Sequence, residues 1–287
     1  MSLLPVLAMR RVSFTWPGAA RPTLHDCTFE LAPGEGAALL GRNGAGKTTL
    51  LRLAMALIRP TSGEIELAGA PTRHRAPEDL AHQAGFLFQA AESRLFERTV
   101  RDEVAFGLRQ LGRSETEVTQ GVTAALEETG LEAVADSHPY DLPVPTRRLV
   151  ALAGLLAPDP SLLLLDEPTA GLDRATRARV RDALLARRAR GTAVLASTHD
   201  GELAMEALER GLVLDGSRIV GDAPIAELLG SRPELPAAPA SARIAVALGL
   251  RPASLRAAPV AVALSEHCRS QAARVKFASP DSPSSPS

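Results

Sequence analysis

The sequence predicts an α/β fold with a mostly parallel sheet, and three observations carry the prediction. A glycine-rich loop follows an apolar strand and opens a helix, two further strand-length apolar runs end in polar clusters, and a helical pattern lies between the loop and those runs. The loop reads Gly41-Arg42-Asn43-Gly44-Ala45-Gly46-Lys47-Thr48-Thr49, after the apolar residues 36–40 and before an apolar helical stretch at residues 50–58. Glycines let successive backbone N–H groups curl around phosphate oxygens, Lys47 supplies a compact charge for the β- and γ-oxygens, and the Thr48 hydroxyl suits Mg²⁺. A nucleoside triphosphate is the ligand such a loop takes. Lysine otherwise occurs only at Lys276, arginine holding nearly every other basic position, so lysine stands where a point charge is needed.

The remaining elements follow in order. Residues 11–15 and 27–31 read as strands separated by Pro17-Gly18 and Pro22, and Pro33-Gly34 leads into the strand before the loop. From about residue 101 to 135 the pattern turns helical, with Val104, Phe106, Leu108 and Leu111 and then Val118, Val122, Leu126 and Leu131 at helix-like spacings. Strand-like runs return at residues 161–165 and 192–197. The arginine-rich stretch 174–190 between them reads as a helix with a solvated basic face around Val180, Leu184 and Leu185. Beyond about residue 230 the chain is rich in Ala, Pro and Arg, with one helix expected near residues 241–250. The expected organisation is a nucleotide-binding domain over 1–230 with a helical part at about 90–155, a small helical extension at 231–270 and a disordered tail at 271–287.

Composition narrows the function. A formal net charge of -1 over 287 residues provides no positive field to recruit nucleic acid. Cys27 and Cys268 form no CxxC pair, so neither a disulfide framework nor a zinc site is expected. The apolar start is followed, not preceded, by Arg10 and Arg11, the wrong order for a signal peptide, and no run approaches the roughly 18 apolar residues of a membrane span. A membrane role would be peripheral, through partner subunits.

Two further clusters bear chemistry. The run Leu162 to Leu165 delivers Asp166-Glu167-Pro168 to a strand end, where open α/β sheets place ligands. Asp166 can hold Mg²⁺ through water while Glu167 polarises the water that attacks the γ-phosphate. The second run ends in Ser197-Thr198-His199-Asp200, which puts the His199 imidazole at a strand end within reach of the same phosphate. His25, His74, His82, His138 and His267 read as structural.

The loop, Gln89 after Gly85-Phe86-Leu87-Phe88, the Asp166-Glu167 pair, Ala170-Gly171-Leu172-Asp173 and Ser197 to Asp200 occur in the order found in ATP-binding cassette (ABC) ATPases, which the chain resembles over about residues 12–222. The resemblance implies a P-loop NTPase core with an antiparallel β subdomain and a helical insertion, MgATP as ligand, and ATP hydrolysis coupled to transport. It implies that Gln89 senses Mg²⁺ and the attacking water, and that Asp173 belongs to a loop communicating across a dimer. It also places Trp16 where the family has an aromatic stacking on adenine, the alternative being a Trp packed in the core. The stretch from Gln89 to Gly107, with Leu95-Phe96 and Glu103-Val-Ala-Phe-Gly107, is similar to the ATPases of energy-coupling factor transporters, which take up cobalt, nickel or vitamins. There residues 90–106 would meet a multi-span membrane subunit, at the cytoplasmic face of the cell membrane.

One segment departs from the family. Where its signature Leu-Ser-Gly-Gly-Gln should stand, the chain has Leu142-Pro143-Val144-Pro145-Thr146, with matching flanks. In the family this segment faces the ATP held by the other subunit of a head-to-tail dimer. Pro143 removes a hydroxyl and an N–H, Val144 adds bulk, and Pro145 removes another N–H, so the face should be almost inert toward a partner's nucleotide. The expectation is an asymmetric heterodimer in which a second ABC ATPase with an intact signature completes the site on this chain. A non-hydrolysing regulatory subunit is the alternative. A soluble ABC protein of translation or DNA repair fits less well, since those relatives usually carry two cassettes or a long coiled-coil insertion.

Overall fold

The computed structural model describes residues 4–232 and 234–238. The chain opens with β1 (Leu7–Phe14) and β2 (Leu24–Leu31), passes through β3 (Gly36–Leu40) into α1 (Lys47–Ala54), and adds β4 (Ser62–Leu67), β5 (Ala70–Pro71), α2 (Pro77–Leu80) and β6 (Ala84–Leu87). Three helices follow: α3 (Val100–Gln110), α4 (Glu115–Thr129) and α5 (Val144–Leu156). The core resumes with β7 (Leu162–Asp166), α6 (Arg174–Ala189), β8 (Ala193–Ser197), the short α7 (Gly201–Leu203), β9 (Arg210–Asp215), β10 (Arg218–Pro224) and α8 (Ile225–Ser231).

Two sheets result. An antiparallel one has the order β2-β1-β4-β5, and a larger one has the order β10-β9-β3-β8-β7-β6, parallel throughout except for β10 at its edge. The central strands β3, β7 and β8 are buried along their whole length, which explains their unbroken apolar runs: a strand covered on both faces needs no polar alternation. Their side chains alternate between two cores. Leu39, Leu162, Leu164 and Leu195 pack with β1, β2, β4 and α1, while Leu40, Leu163, Leu165 and Val194 pack with α3, α4, α5 and α6. Each fully buried leucine contributes about 1.5–3 kcal/mol of transfer free energy, so the strand ends that carry the polar clusters are anchored in both cores.

The structure corrects several expectations. α1 ends at Ala54 instead of continuing to residue 58; Ala56 adopts φ 55°, and Arg59-Pro60 beyond it cannot extend a helix. The insertion is two helices before residue 130, divided at Gly112 (φ 68°) and restarted by a capping box between Ser114 and Glu117. The basic stretch is only partly solvated. Arg187 lies one turn from Leu184 on the packed face of α6, where it is buried and paired with Glu128 at 2.8 Å and Asp159 at 2.6 Å, while Leu185 faces outward. The helix expected near residues 241–250, the tail at 271–287 and nearly all of the 231–270 extension lie outside the described residues. Among the described residues no helix is long and apolar enough to cross a membrane.

Candidate functional site

Strands β3, β7 and β8 are neighbours and parallel, so their C-terminal ends open on one side of the sheet, where a cleft of about 1100 Å³ lies. The glycine loop leaves β3 and turns into α1 within it. Gly41 has φ 151°, and a Cβ there would fall 2.3 Å from the Leu214 carbonyl oxygen, so only glycine lets the loop pass β9. Lys47 is the first residue of α1 and only 8% exposed. Its Nζ donates to the carbonyl oxygens of Gly41 at 2.8 Å and Arg42 at 3.2 Å, which closes the loop on itself. Burial holds the Lys47 ammonium below the usual lysine range, with Glu167 and Asp166 drawing it partly back up.

Asp166 and Thr48 meet directly. Thr48 Oγ1 donates to Asp166 Oδ2 at 2.7 Å, and Ser197 Oγ, at the end of β8, donates to Asp166 Oδ1 at 2.6 Å. The carboxylate, at the end of β7, is thereby fixed by one hydroxyl from the loop and one from β8. Glu167 follows in the left-handed region at φ 53°, its N–H donating to both Ser197 O and Ser197 Oγ at 3.1 Å. This turn directs its side chain toward His199: Glu167 Oε1 lies 3.3 Å from His199 Nε2, and the His199 backbone N–H donates to Glu167 Oε2 at 3.3 Å. His199 Nε2 is also 3.0 Å from Asn43 Oδ1, which ties it to the glycine loop. His199 Nδ1 is buried without a hydrogen-bond partner and Glu167 Oε1 has only its contact with His199 Nε2, and both residues line the cleft.

Gln89 and Trp16 line the same cleft. The Trp16 and Phe14 rings stand perpendicular with centroids 4.9 Å apart, and Trp16 remains 38% exposed, so it is not a core residue. The loop residues Asn43, Gly44, Gly46, Lys47, Thr48 and Thr49 line the cleft, whereas Gly41, Arg42 and Ala45 form the back of the loop. Asp173 is not brought to it. It is the N-cap of α6, accepting from the Thr176 N–H at 2.9 Å and the Thr176 hydroxyl at 3.0 Å, and these bonds hold its carboxyl below the usual range. Sequence reasoning missed Arg177 and the segment containing Pro236, Ala237 and Ala238, which also line the cleft. Nothing in the Ala- and Pro-rich sequence there marks it as a cleft wall.

The departing segment begins α5. Pro143 is its N-cap, with φ -56° and ψ 149° and no side-chain cap, and Pro145 is the second helical residue. Val144 between them is 49% exposed. Prolines fit a helix start, so the fold accommodates them, but the helix end presents an apolar, donor-poor surface.

A family model described as ABC transporter matches residues 24–170, just over half of the chain. The chain belongs to the ABC transporter ATPase family. A second family model, described as an AAA domain, matches residues 139–206. The cobalt import ATP-binding protein CbiO of Rhodobacter capsulatus is 36% identical over 81% of this ABC ATPase chain and 84% of its own length. An ABC transporter ATP-binding protein of Bifidobacterium longum, named without a transported substrate, is 38% identical over 72% of this chain. The match spans only 28% of that relative's length, and 36% of the length of one from Methanosarcina acetivorans. Among solved structures, CbiO1 from Clostridium perfringens, described as part of the ABC transporter complex CbiONQ, superposes with a TM-score of 0.73 and 25% identity, covering 84% of this chain and 95% of that one.

Proposed function

We propose that this chain is the ATP-binding and hydrolysing subunit of an importer of the energy-coupling factor type, powering uptake of a metal ion or vitamin, and one half of an asymmetric ATPase pair on the cytoplasmic face of the cell membrane. The observation that carries hydrolysis is the meeting of Thr48 with Asp166, and of Glu167 with His199, at adjacent strand ends in one cleft. The loop from Gly41 to Thr49 cradles the phosphates, Lys47 exchanges its loop carbonyls for phosphate oxygens, and Trp16 stacks on the adenine. The hard oxygen donors of Thr48, Asp166 and Gln89 fit Mg²⁺, which when bound offsets phosphate charge. Glu167 accepts the proton of the attacking water, while His199 and Gln89 position that water against the γ-phosphate.

The transport assignment draws on the cobalt import relative and on the exposed Phe96 and Phe106, which stack edge to face at 4.8 Å within residues 90–106. Two exposed aromatics on the segment that follows Gln89 suit a coupling element of a multi-span membrane subunit. The asymmetry rests on the α5 N-terminus, where proline at 143 and 145 leaves a partner's ATP without the family's serine hydroxyl and without an N–H at either position. That same end favours the second reading, a regulatory subunit that binds nucleotide without hydrolysing it; the paired Glu167 and His199 speak against it.

The test is to purify the tagged chain from native membranes, identify its companions and measure ATP turnover with and without Glu167→Gln. The expected result is a second ATPase with an intact signature, a multi-span protein, and turnover lowered about a hundredfold or more by the substitution with ATP binding retained. A complex of soluble proteins only would overturn the transport reading. Brisk turnover by the chain alone, abolished by Glu167→Gln, would overturn the asymmetry.

A further inference from the structure

Arg148, in the second turn of α5, is only 6% exposed, and its guanidinium reaches two other segments. Nε and Nη2 meet Glu92 Oε2 at 2.9 and 2.8 Å, in the 3-10 turn Ala91–Ser93 just after Gln89. Nη1 donates to the Ala170 carbonyl at 2.7 Å and lies 3.4 Å from the Glu167 carbonyl, both in the turn that leaves β7. A buried ion pair is weak evidence for stability, because desolvation offsets the attraction. What this one does is join three segments that carry the site.

Glu167 gives the join its meaning. A residue other than glycine stays at φ 53° only where its surroundings over-determine it. Ser197 holds the Glu167 N–H from β8, and Arg148 faces the Glu167 carbonyl from α5. The segment on the far side of Glu92 is braced as well. Tyr140 Oη lies 3.2 Å from Ser93 O and 3.0 Å from Leu95 O, and the N–H groups of Phe96 and Glu97 donate to Glu103 Oε2 at 2.9 and 2.8 Å. The chain between exposed Phe96 and Glu92 is therefore held by hydrogen bonds and is not a slack loop.

We propose that Arg148 is a positioning residue that, through Glu92, ties the segment after Gln89 to the backbone of Glu167, so that movement of that segment resets where the carboxylate stands. The inference rests on the role assigned to Glu167 above. Because a misplacement of about 1 Å can cost about a hundredfold in rate, the link needs no large motion to gate turnover.

The experiment compares Arg148→Met, Arg148→Lys and the pair Glu92→Leu with Arg148→Met, each in the full chain. ATP affinity is read from the fluorescence of Trp16, the single tryptophan, and kcat, KM and Tm from the complex with its partners. The expected result is a kcat lowered about tenfold or more by Arg148→Met with ATP affinity changed less than about twofold, and partial recovery in Arg148→Lys. Should Arg148→Met strand Glu92 and fail to fold, the paired variant, which removes both charges, is expected to fold and show the same loss of kcat. An unchanged kcat, or one that falls only in step with ATP affinity or Tm, overturns the link. With Glu167→Gln as control, loss of turnover there but not in Arg148→Met refutes Arg148 alone, whereas turnover surviving Glu167→Gln refutes the role of Glu167 and the link with it.

Discussion

Replacing Pro143, Val144 and Pro145 by Ser, Gly and Gly should convert the donor-poor end of α5 into one that completes a nucleotide site. Pro143 already has φ -56° and ψ 149°, the extended backbone of a helix cap, so a serine fits without rearrangement and can cap the helix for about 1 kcal/mol. Two glycines in the first turn cost about 0.5–1 kcal/mol each relative to alanine, and loss of proline's restriction of the unfolded chain adds about 0.4–1 kcal/mol per site. Because Val144 is half exposed, its removal leaves no cavity, and the net destabilisation should stay within about 2–3 kcal/mol. The gain is one hydroxyl and two N–H donors at a helix N-terminus. A hydrogen bond to a charged group is worth about 1.5–3 kcal/mol, and one transition-state donor about a hundredfold in rate. Even if only one donor engages, turnover by the chain without its partner should rise at least about tenfold. The assay is phosphate release at several protein concentrations, with Tm recorded for both proteins. If turnover stays flat while Tm shows a folded variant, the donor argument is wrong and the proline segment is not what limits the chain alone.

Gly41→Ala should lower the urea midpoint by an amount corresponding to about 2–4 kcal/mol and abolish ATP binding, since its Cβ would sit 2.3 Å from Leu214 O at φ 151°; a stable, binding-competent variant would contradict the loop geometry. Lys47 gives a pH test. Its folded pKa is depressed below 10.5 by burial, so between the folded value and 10.5 the unfolded chain holds more protons and stability rises with pH through that window. Nucleotide-free protein should therefore gain stability there relative to Lys47→Met, and parallel stability curves would remove the burial argument.

The residues that meet in the cleft were legible because they come as contiguous words. Lys47 and Thr48 sit in one loop, Asp166 and Glu167 end one apolar run, and His199 ends another; the buried strands that carry them announce themselves by lacking polar alternation. Half-buried elements did not announce themselves. β10 alternates exposed and intermediate positions without an apolar run, β5 has only two residues, and both are strands because a neighbour pairs with them. Arg187 misleads for a related reason: arginine in a helix reads as solvated until a buried carboxylate, here Glu128, is placed opposite it from another helix.

By itself, then, the amino-acid sequence determined what the site is made of: a glycine loop that tolerates positive φ, one lysine at its end, two carboxylates after a leucine strand, and a helix start that loses two N–H donors to Pro143 and Pro145. Only the tertiary structure decided how those parts act together. It set Glu167 against His199 at 3.3 Å, fastened Asp166 between Thr48 and Ser197, drew Asp173 away to cap α6, and placed Arg148 between Glu92 and the backbone of Glu167. The physical reason is that backbone preference and burial are written locally, whereas a hydrogen bond between residues 56 or 118 positions apart exists only after parallel strands and packed helices have brought both partners to one place.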